Sequence, residues 1–429
     1  MAERIDPPSV VEVRLWGARA GALTASARFP GYYAFEYDHD FAQGGVEPSP
    51  LLMPSAAGRT YTFQTLAQET YHGLPGLIAD ALPDHFGNAL IDEYLNRHGY
   101  AAGEITTLQR LIYVGRRAMG ALEFMPAASE THDDASAVPL EMSALVEDAR
   151  RALRGELSQI TPQILEIGSS AGGARAKAVI GWNRQTGEVV SGQFDVPEGF
   201  EHWLLKFDVD LDGNLSYTAG FGRVEYAHYL MAREAGVEMS ECQLMEEGGR
   251  AHFMTRRFDR DGNRKLHIHS LCGLAHLDFN QPRVHSYEQY LRTIQALNLG
   301  KPAIDQAFVR CAFNVAAVNC DDHTKNLAFL LEEGGDWQLA PAYDVCFSHN
   351  PAAGKWTREH QMRVNGKTWD IEEEDLLALA KTFGVSRARE RLDRVVEAVR
   401  RWREFAGEAG VPEARIAHVE EFHPAWVKR

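Results

Sequence analysis

Positive charge is what this sequence is short of. Its 429 residues carry 44 lysines and arginines against 60 aspartates and glutamates, a formal net charge of −16. A surface of that sign repels nucleic-acid phosphates, whose binding needs a dense basic footprint. Contact with DNA is therefore expected only through a local patch or a partner. Cysteine is scarce as well: Cys242, Cys272, Cys311, Cys320 and Cys346 are scattered with no C-x-x-C, which indicates neither a disulfide framework nor a zinc site. No uninterrupted apolar run approaches the roughly 20 residues of a membrane span. The opening MAERIDPPSV lacks the apolar core of a secretory signal, so a cytoplasmic protein is expected. Internal repeats and low-complexity segments are absent too. What remains is an ordinary globular composition, 45% hydrophobic, in a chain long enough for two or three domains.

Polar residues concentrate at one place. Residues 319–344 read NCDDHTKNLAFLLEEGGDWQLAPAYD. The apolar run 327–331, the turn Glu332-Glu333-Gly334-Gly335-Asp336 and the run 337–339 predict a hairpin. Asn326 stands just before its first strand and Asp344 just after its second. Pairing the strands brings two hard oxygen ligands together, a set suited to Mg²⁺ shared with phosphate oxygens. Asp321, five residues before Asn326, completes D-x-x-x-x-N, in which a carboxylate accepts the proton of an attacking hydroxyl while the asparagine holds metal. That spacing alone is common; followed by the hairpin and a second aspartate, it points to phosphoryl transfer. For any one of these residues the alternative is turn chemistry, with the side chain bonded to the local backbone. His323 either ligates a metal or orients Asp321 and its loop, and the lack of a second histidine at ligand spacing favours the orienting role. Lys325 either neutralises a transferring phosphate or is solvated, and its place beside Asp321 favours the first.

The remaining chain supplies further parts. Residues 10–38 alternate short apolar runs with glycine turns, the pattern of an antiparallel meander. Residues 74–100 show helical spacing interrupted by Pro83 and stopped near Gly99. Residues 108–122 then pass through a Gly-Arg-Arg turn to a strand-like run at 120–124, and the polar stretch SETHDDAS at 129–136 has the composition of a linker. A helix-like segment at 141–157 precedes Ile167-Gly-Ser-Ser-Ala-Gly-Gly-Ala-Arg-Ala-Lys177. In that loop Ser170, Ala171, Gly172 and Gly173 can turn backbone N–H groups toward phosphates. It matches neither G-x-x-x-x-G-K-[ST] nor G-x-G-x-x-G, and a glycine turn without ligand is the alternative.

In the run 202–207, two-residue alternation puts Trp203, Leu205 and Phe207 on one face and Leu204 with Lys206 on the other. A lysine there needs an anionic partner. In the kinase order of parts, a Gly-rich loop is followed by such a lysine strand and then by a helix supplying an acid, here Glu225 on a helix expected at 224–235. Residues 208–214 begin like a calcium loop, but the twelfth position is Ala219 instead of a bidentate glutamate, so a polar turn is expected. The strand-like run 252–258 would link two lobes, with the backbone of Arg256 and Phe258 facing an adenine edge. From about Ser286 onward helices are expected at 287–297, 303–318 and 386–406, the last decorated by Arg387, Arg389, Arg391, Arg394, Arg400, Arg401 and Arg403 as a solvated face.

In the GALEF run at 120–124, SSAGGARAK, RRFDR at 256–260, NCDDHTKN and LAPAYDV, the chain resembles, over its whole length, the HipA family of bacterial serine/threonine kinase toxins. The resemblance implies an α+β, bilobal, protein-kinase-like fold. Its parts would be an N-terminal strand/helix accessory domain at 1–130, a kinase N-lobe with the Gly-rich loop at 137–262, and a mostly helical C-lobe with the catalytic loop at 263–429. It implies ATP and Mg²⁺ as cofactors, Asp321 as catalytic base, Asn326 and Asp344 as metal ligands, and Lys206 as the phosphate-pairing lysine. The backbone of Arg256 and Phe258 would contact adenine, and Ser170, beside Ser169, would be the autophosphorylated serine. The sequence has Asn-Cys-Asp for H-R-D and Tyr-Asp-Val for D-F-G, as the bacterial family does, and Ala176 where many members have Pro or Glu. The implied substrate is a protein, of the aminoacyl-tRNA synthetase class, whose modification arrests translation and growth and produces persistence. The implied partner is a small DNA-binding antitoxin, with DNA reached only through it. Two other readings stay open: a small-molecule kinase, and a non-catalytic co-repressor subunit of an antitoxin–DNA complex. The joint presence of Lys206, Asp321, Asn326 and Asp344 argues against the second.

Overall fold

The alternation Val-Glu-Val-Arg-Leu dictates a strand buried on one face, and β1 (Val10–Leu15) does bury Val11, Val13 and Leu15. It pairs antiparallel with β2 (Ala18–Ala25), and β2 with β3 (Tyr33–Tyr37), the meander expected from the glycine spacing. β4 (Thr60–Tyr61) and β5 (Leu122–Met125) complete a sheet in the order β4-β3-β2-β1-β5. The computed structural model describes residues 8–83, 85–126, 139–168, 175–209, 220–352 and 355–429. The stretch at 129–136, the loop residues Ser169 to Gly173 and nearly all of the turn at 208–219 therefore lie outside the described residues. The chain divides into two compact units, the first comprising Met1–Ala219, Met245–His269 and Leu331–Gly335, the second Gly220–Leu244, Ser270–Leu330 and Asp336–Arg429.

A second five-stranded sheet, in the first unit except for the start of β9, comprises β6 (Lys177–Trp182), β7 (Val189–Ser191), β8 (Glu201–Lys206), β9 (Cys242–Glu247) and β10 (Arg250–Arg256), in the order β7-β6-β8-β10-β9. β8 is central, and its alternation follows the sequence. Trp203, Leu205 and Phe207 are buried in one core with Phe86 and Leu90 of the helix His85–Arg97, Leu145 of the helix Met142–Leu153 and Ile164 of the helix Pro162–Ile167. Each large apolar side chain so buried contributes about 2–3 kcal/mol. One element here goes beyond the expectation. The strand expected near 120–124 forms as β5 after the Gly-Arg-Arg turn, but Thr107–Val114 before it is a helix that was not expected, capped by Thr106 Oγ1 on the Gln109 N–H and by Gln109 Oε1 on the Thr106 N–H. Another shifts: the run expected to link lobes ends β10 and continues into the hairpin of β11 (Arg260–Asp261) and β12 (Arg264–Lys265), all within the first unit. After that hairpin the chain passes to the second unit at the end of β13 (His267–Ser270).

The second unit is mostly helical, as the composition after Ser286 predicts. Its helix Gly300–Ala316 is buried on every face from Ala303 to Ala316, including Arg310 and Asn314, which makes it a core helix. The helix expected over 386–406 is two, Ala388–Arg400 and Trp402–Glu408. At Arg401 the N–H bonds the carbonyl of Ala398, three residues back, a tight turn that re-aims the chain. Trp402 is thereby buried, with Nε1 donating to Ile416 O at 3.0 Å. The hairpin forms as expected, from β14 (Ala328–Leu331) and β15 (Trp337–Leu339), and Gly334 at φ 73° supplies the turn conformation a residue with a Cβ resists. No helix among the described residues is long and apolar enough to cross a membrane.

Candidate active site

The acidic loop begins where the core helix stops. Asn319 N–H donates to Asn314 O at 2.9 Å and Val318 N–H to Val315 O at 3.3 Å, the paired bonds of a Schellman ending. That ending requires a left-handed residue, and Val318 occupies it at φ 57°. A β-branched side chain is a costly choice there, so surrounding contacts must hold the turn in place.

Beyond it the chain is extended and its side chains alternate. Cys320 and Asp322 turn inward and are buried, while Asp321 between them is partly exposed. Asp322 anchors the loop: Oδ1 accepts the Gln361 N–H at 2.8 Å, and Oδ2 accepts the Tyr287 hydroxyl at 2.9 Å and lies 3.2 Å from His360 Nδ1. Tyr287 in turn accepts from Asn314 Nδ2 at 2.9 Å, which ties the loop back to the helix it leaves. Asp321 carries its carboxyl on the other side, with Oδ1 accepting from Gln361 Nε2 at 2.9 Å and His323 Nε2 3.9 Å away.

Asn326 closes a 3-10 turn, and its Nδ2 donates to Asp321 O at 2.9 Å. Its Oδ1 has no hydrogen-bond partner among the described residues, so the amide offers that oxygen as a ligand. Asn326 lines one small cavity with Tyr343 and Val345, the residues on either side of Asp344, as the hairpin register requires. Asp344 itself stands at φ 52°, and its carbonyl accepts from Asn319 Nδ2 at 3.4 Å. Lys325 places Nζ 5.1 Å from the centroid of the Phe279 ring, and its carbonyl accepts the Tyr343 hydroxyl. Five of the expected residues, Asp321, His323, Lys325, Asn326 and Asp344, thus share the second unit. An uncommitted amide oxygen and a carboxylate at the end of one hairpin are a donor set that fits Mg²⁺, which takes one or two protein oxygens and completes its shell with water and phosphate.

Lys206, Arg256 and Phe258 belong to the first unit. Lys206 ends β8, only 8% exposed, opposite Lys177 on β6 and Phe253 on β10. Two buried lysines thus face each other across the β6–β8 ladder, and Lys177 was not singled out by sequence. Arg256 sits three residue pairs along the ladder from Lys206, about 10 Å. Its exposed side chain lies 3.6 Å from Glu201. Arg257 N–H donates to His202 O, so strand alternation turns the Arg256 N–H away from β8.

The residues of this stretch that sequence reasoning missed are Arg257, Asp259 and Arg260. Arg257 holds Asp259 by two bonds of 2.9 and 2.7 Å, Arg260 adds one of 2.8 Å, and the Gly120 N–H another of 2.7 Å. Burial alone would raise the Asp259 pKa, but the two guanidinium charges and these bonds hold it well below the usual carboxylate range. Burial lowers the Arg260 pKa to about 10, with the Arg257 charge adding to it.

The comparisons with known proteins fall on the same parts. The model of the HipA N-terminal domain matches residues 11–125, and that of the HipA-like C-terminal domain matches residues 169–403. A chain of the Shewanella oneidensis MR-1 toxin–antitoxin structure of HipA, HipB and its operator DNA aligns over 98% of this chain and 97% of its own length. The TM-score is 0.70 at 18% identity, which establishes a common α+β fold. The Helicobacter pylori proinflammatory kinase CtkA aligns over 58% of this chain and 92% of its own at 12% identity, with a TM-score of 0.34, too low to bear on the fold. No curated protein sequence matches. The fold is that of the HipA structure, and the chain belongs to the HipA family.

Proposed function

We propose that the chain is an ATP-dependent serine/threonine protein kinase and the toxin of a toxin–antitoxin module. The observation that carries this is the pairing of Asp321 with Asn326: the asparagine amide is locked on the Asp321 carbonyl, which points one free amide oxygen and one half-exposed carboxylate from the same loop. Asp321 takes the proton of the attacking seryl hydroxyl. Asn326 Oδ1 and Asp344 would hold Mg²⁺, which would supply charge neutralisation at the phosphates of bound ATP. Lys206 pairs with those phosphates, Lys325 and His323 stand beside the transfer site, and the Arg256 and Phe258 backbone meets adenine. The family resemblance assigns phosphate contacts to the loop Ser170, Ala171, Gly172 and Gly173, which lies outside the described residues, and autophosphorylation to Ser170, where the added charge would exclude ATP.

The Shewanella structure contains HipB and operator DNA with HipA, and a small DNA-binding antitoxin is proposed as the partner here. The charge of −16 supports an indirect contact with DNA. The substrate class implied by the family resemblance is an aminoacyl-tRNA synthetase. Phosphoproteomics of cells expressing wild type beside Asp321→Ala tests the reading. Protein phosphoserine that depends on Asp321 is the expected result, and label appearing only on a metabolite, or equally in both strains, overturns it.

A further inference from the structure

The segment 360–364 reaches the acidic loop from 40 residues away in sequence and is fastened along its length. Arg283 N–H donates to Gln361 O at 2.8 Å, Arg363 N–H to His285 O at 2.9 Å, and Tyr287 N–H to Arg363 O at 2.9 Å. Gln361 therefore has a fixed main chain, and it is 2% exposed. From that position it grips both aspartates. Its N–H holds the buried Asp322 Oδ1, and its side-chain Nε2 holds Oδ1 of Asp321.

Gln361 Oε1 is buried and has no hydrogen-bond partner among the described residues. An unsatisfied buried acceptor costs free energy, yet turning the amide over would set its oxygen against a carboxylate oxygen. The contact with Asp321 decides the orientation, at the expense of the amide oxygen. His323, the other polar neighbour, stands too far from Asp321 Oδ1 for a hydrogen bond. Asp321 Oδ2 has no hydrogen-bond partner among the described residues.

We infer that Gln361 is a positioning residue for Asp321: it occupies Oδ1 and so presents Oδ2 to the acceptor hydroxyl. This role rests on Asp321 being the base. Gln361→Met keeps the length of the side chain and the backbone N–H to Asp322 while removing the amide donor. In protein with ¹³C-carboxyl aspartate, the Asp321 signal, assigned by its loss in Asp321→Asn, should move in Gln361→Met, with ATP affinity within about twofold of wild type. The kcat should fall about ten- to a hundredfold at unchanged KM for ATP, as expected when a reacting group is misplaced by a fraction of an ångström to an ångström. Gln361→Glu, which opposes two carboxylates, should lose more. In the Asp321→Asn background Gln361→Met should change nothing further, because the two residues act as one unit. An unmoved carboxyl signal, a loss of ATP affinity in step with kcat, or a full additional loss in the Asp321→Asn background would overturn the assignment. A wild-type protein that phosphorylates nothing would remove the kinase reading alone, since the carboxyl signal still decides whether Gln361 holds Asp321.

Discussion

Two buried aspartates organise two stretches of the chain, and they are satisfied in opposite ways. Asp322 sits among dipoles: a tyrosine hydroxyl, backbone N–H groups and a histidine ring. Asp259 sits among charges, between two guanidiniums that are themselves buried. A carboxylate held by dipoles can lose one partner and keep the rest, and each partner also fixes the direction of a neighbouring residue. A carboxylate held between charges does something else: it cancels them. Arg257 Nη1 and Arg260 Nη2 are buried without hydrogen-bond partners among the described residues, so the cluster is already short of acceptors. The first arrangement gives a loop its geometry; the second makes a stretch of chain intolerant of change.

The largest effect that separates them is therefore Asp259→Ala. It leaves two buried cations with only the Asp195 charge acting on Arg260, and a loss of about 3–5 kcal/mol is expected in chemical denaturation. A loss below about 1 kcal/mol would erase the distinction. Asp322→Asn should cost less, about 1.5–3 kcal/mol for hydrogen bonds to a charged acceptor, but should lower phosphoryl transfer, because one of the two acceptor oxygens shared by Tyr287, His360 and the Gln361 N–H becomes an NH2 donor. Full activity in a folded Asp322→Asn protein would show that the loop holds its shape without it.

Histidine 202 sharpens the comparison through pH. Burial, then the Arg257 charge, lowers its pKa to about 4, against a hydrogen bond with Asn263 that raises it. The folded pKa lies below the ordinary value of 6.5, so the unfolded chain takes up the proton first. Stability is full above pH 6.5 and falls as pH drops toward 4, by up to about 1.4 kcal/mol per pH unit for this group. Urea midpoints measured from pH 7 to 4.5 should show a shallower slope in His202→Gln. The smallest effect belongs to the arginine-rich helices. Arg389 meets Glu373 and Arg403 meets Glu413 and Glu420, all on the surface. Arg389→Ala should shift stability by no more than about 0.5 kcal/mol.

How far these stretches could be read from sequence follows the same division. The Asp321 to Asn326 spacing and the hairpin were legible because each is local, and the faces of β8 followed from alternation alone. The helix at 107–114 was missed although Thr106 and Gln109 spell out its cap. The break at Arg401 was invisible because Leu392, Val395, Val396, Val399 and Trp402 keep helical spacing straight through it. Asp322, Gln361 and Asp259 escaped for a different reason. Asp322 and Gln361 meet partners 39 and 40 residues away, and no periodicity encodes a contact at that separation; Asp259 has its arginine partners next to it in sequence, but its burial and its bond from Gly120, 139 residues away, are not encoded locally.

The backbone at Val318 carries a consequence for anyone trying to make this protein tougher. A β-branched residue in the left-handed region costs on the order of 1–3 kcal/mol, and a screen for heat resistance would find Val318→Gly or Val318→Asn an inviting substitution. Yet the turn there sets where Asn319, Cys320 and Asp321 emerge from the core helix. Relaxing it frees the loop to sample other exits, and a variant that survives longer at high temperature would be expected to turn over more slowly.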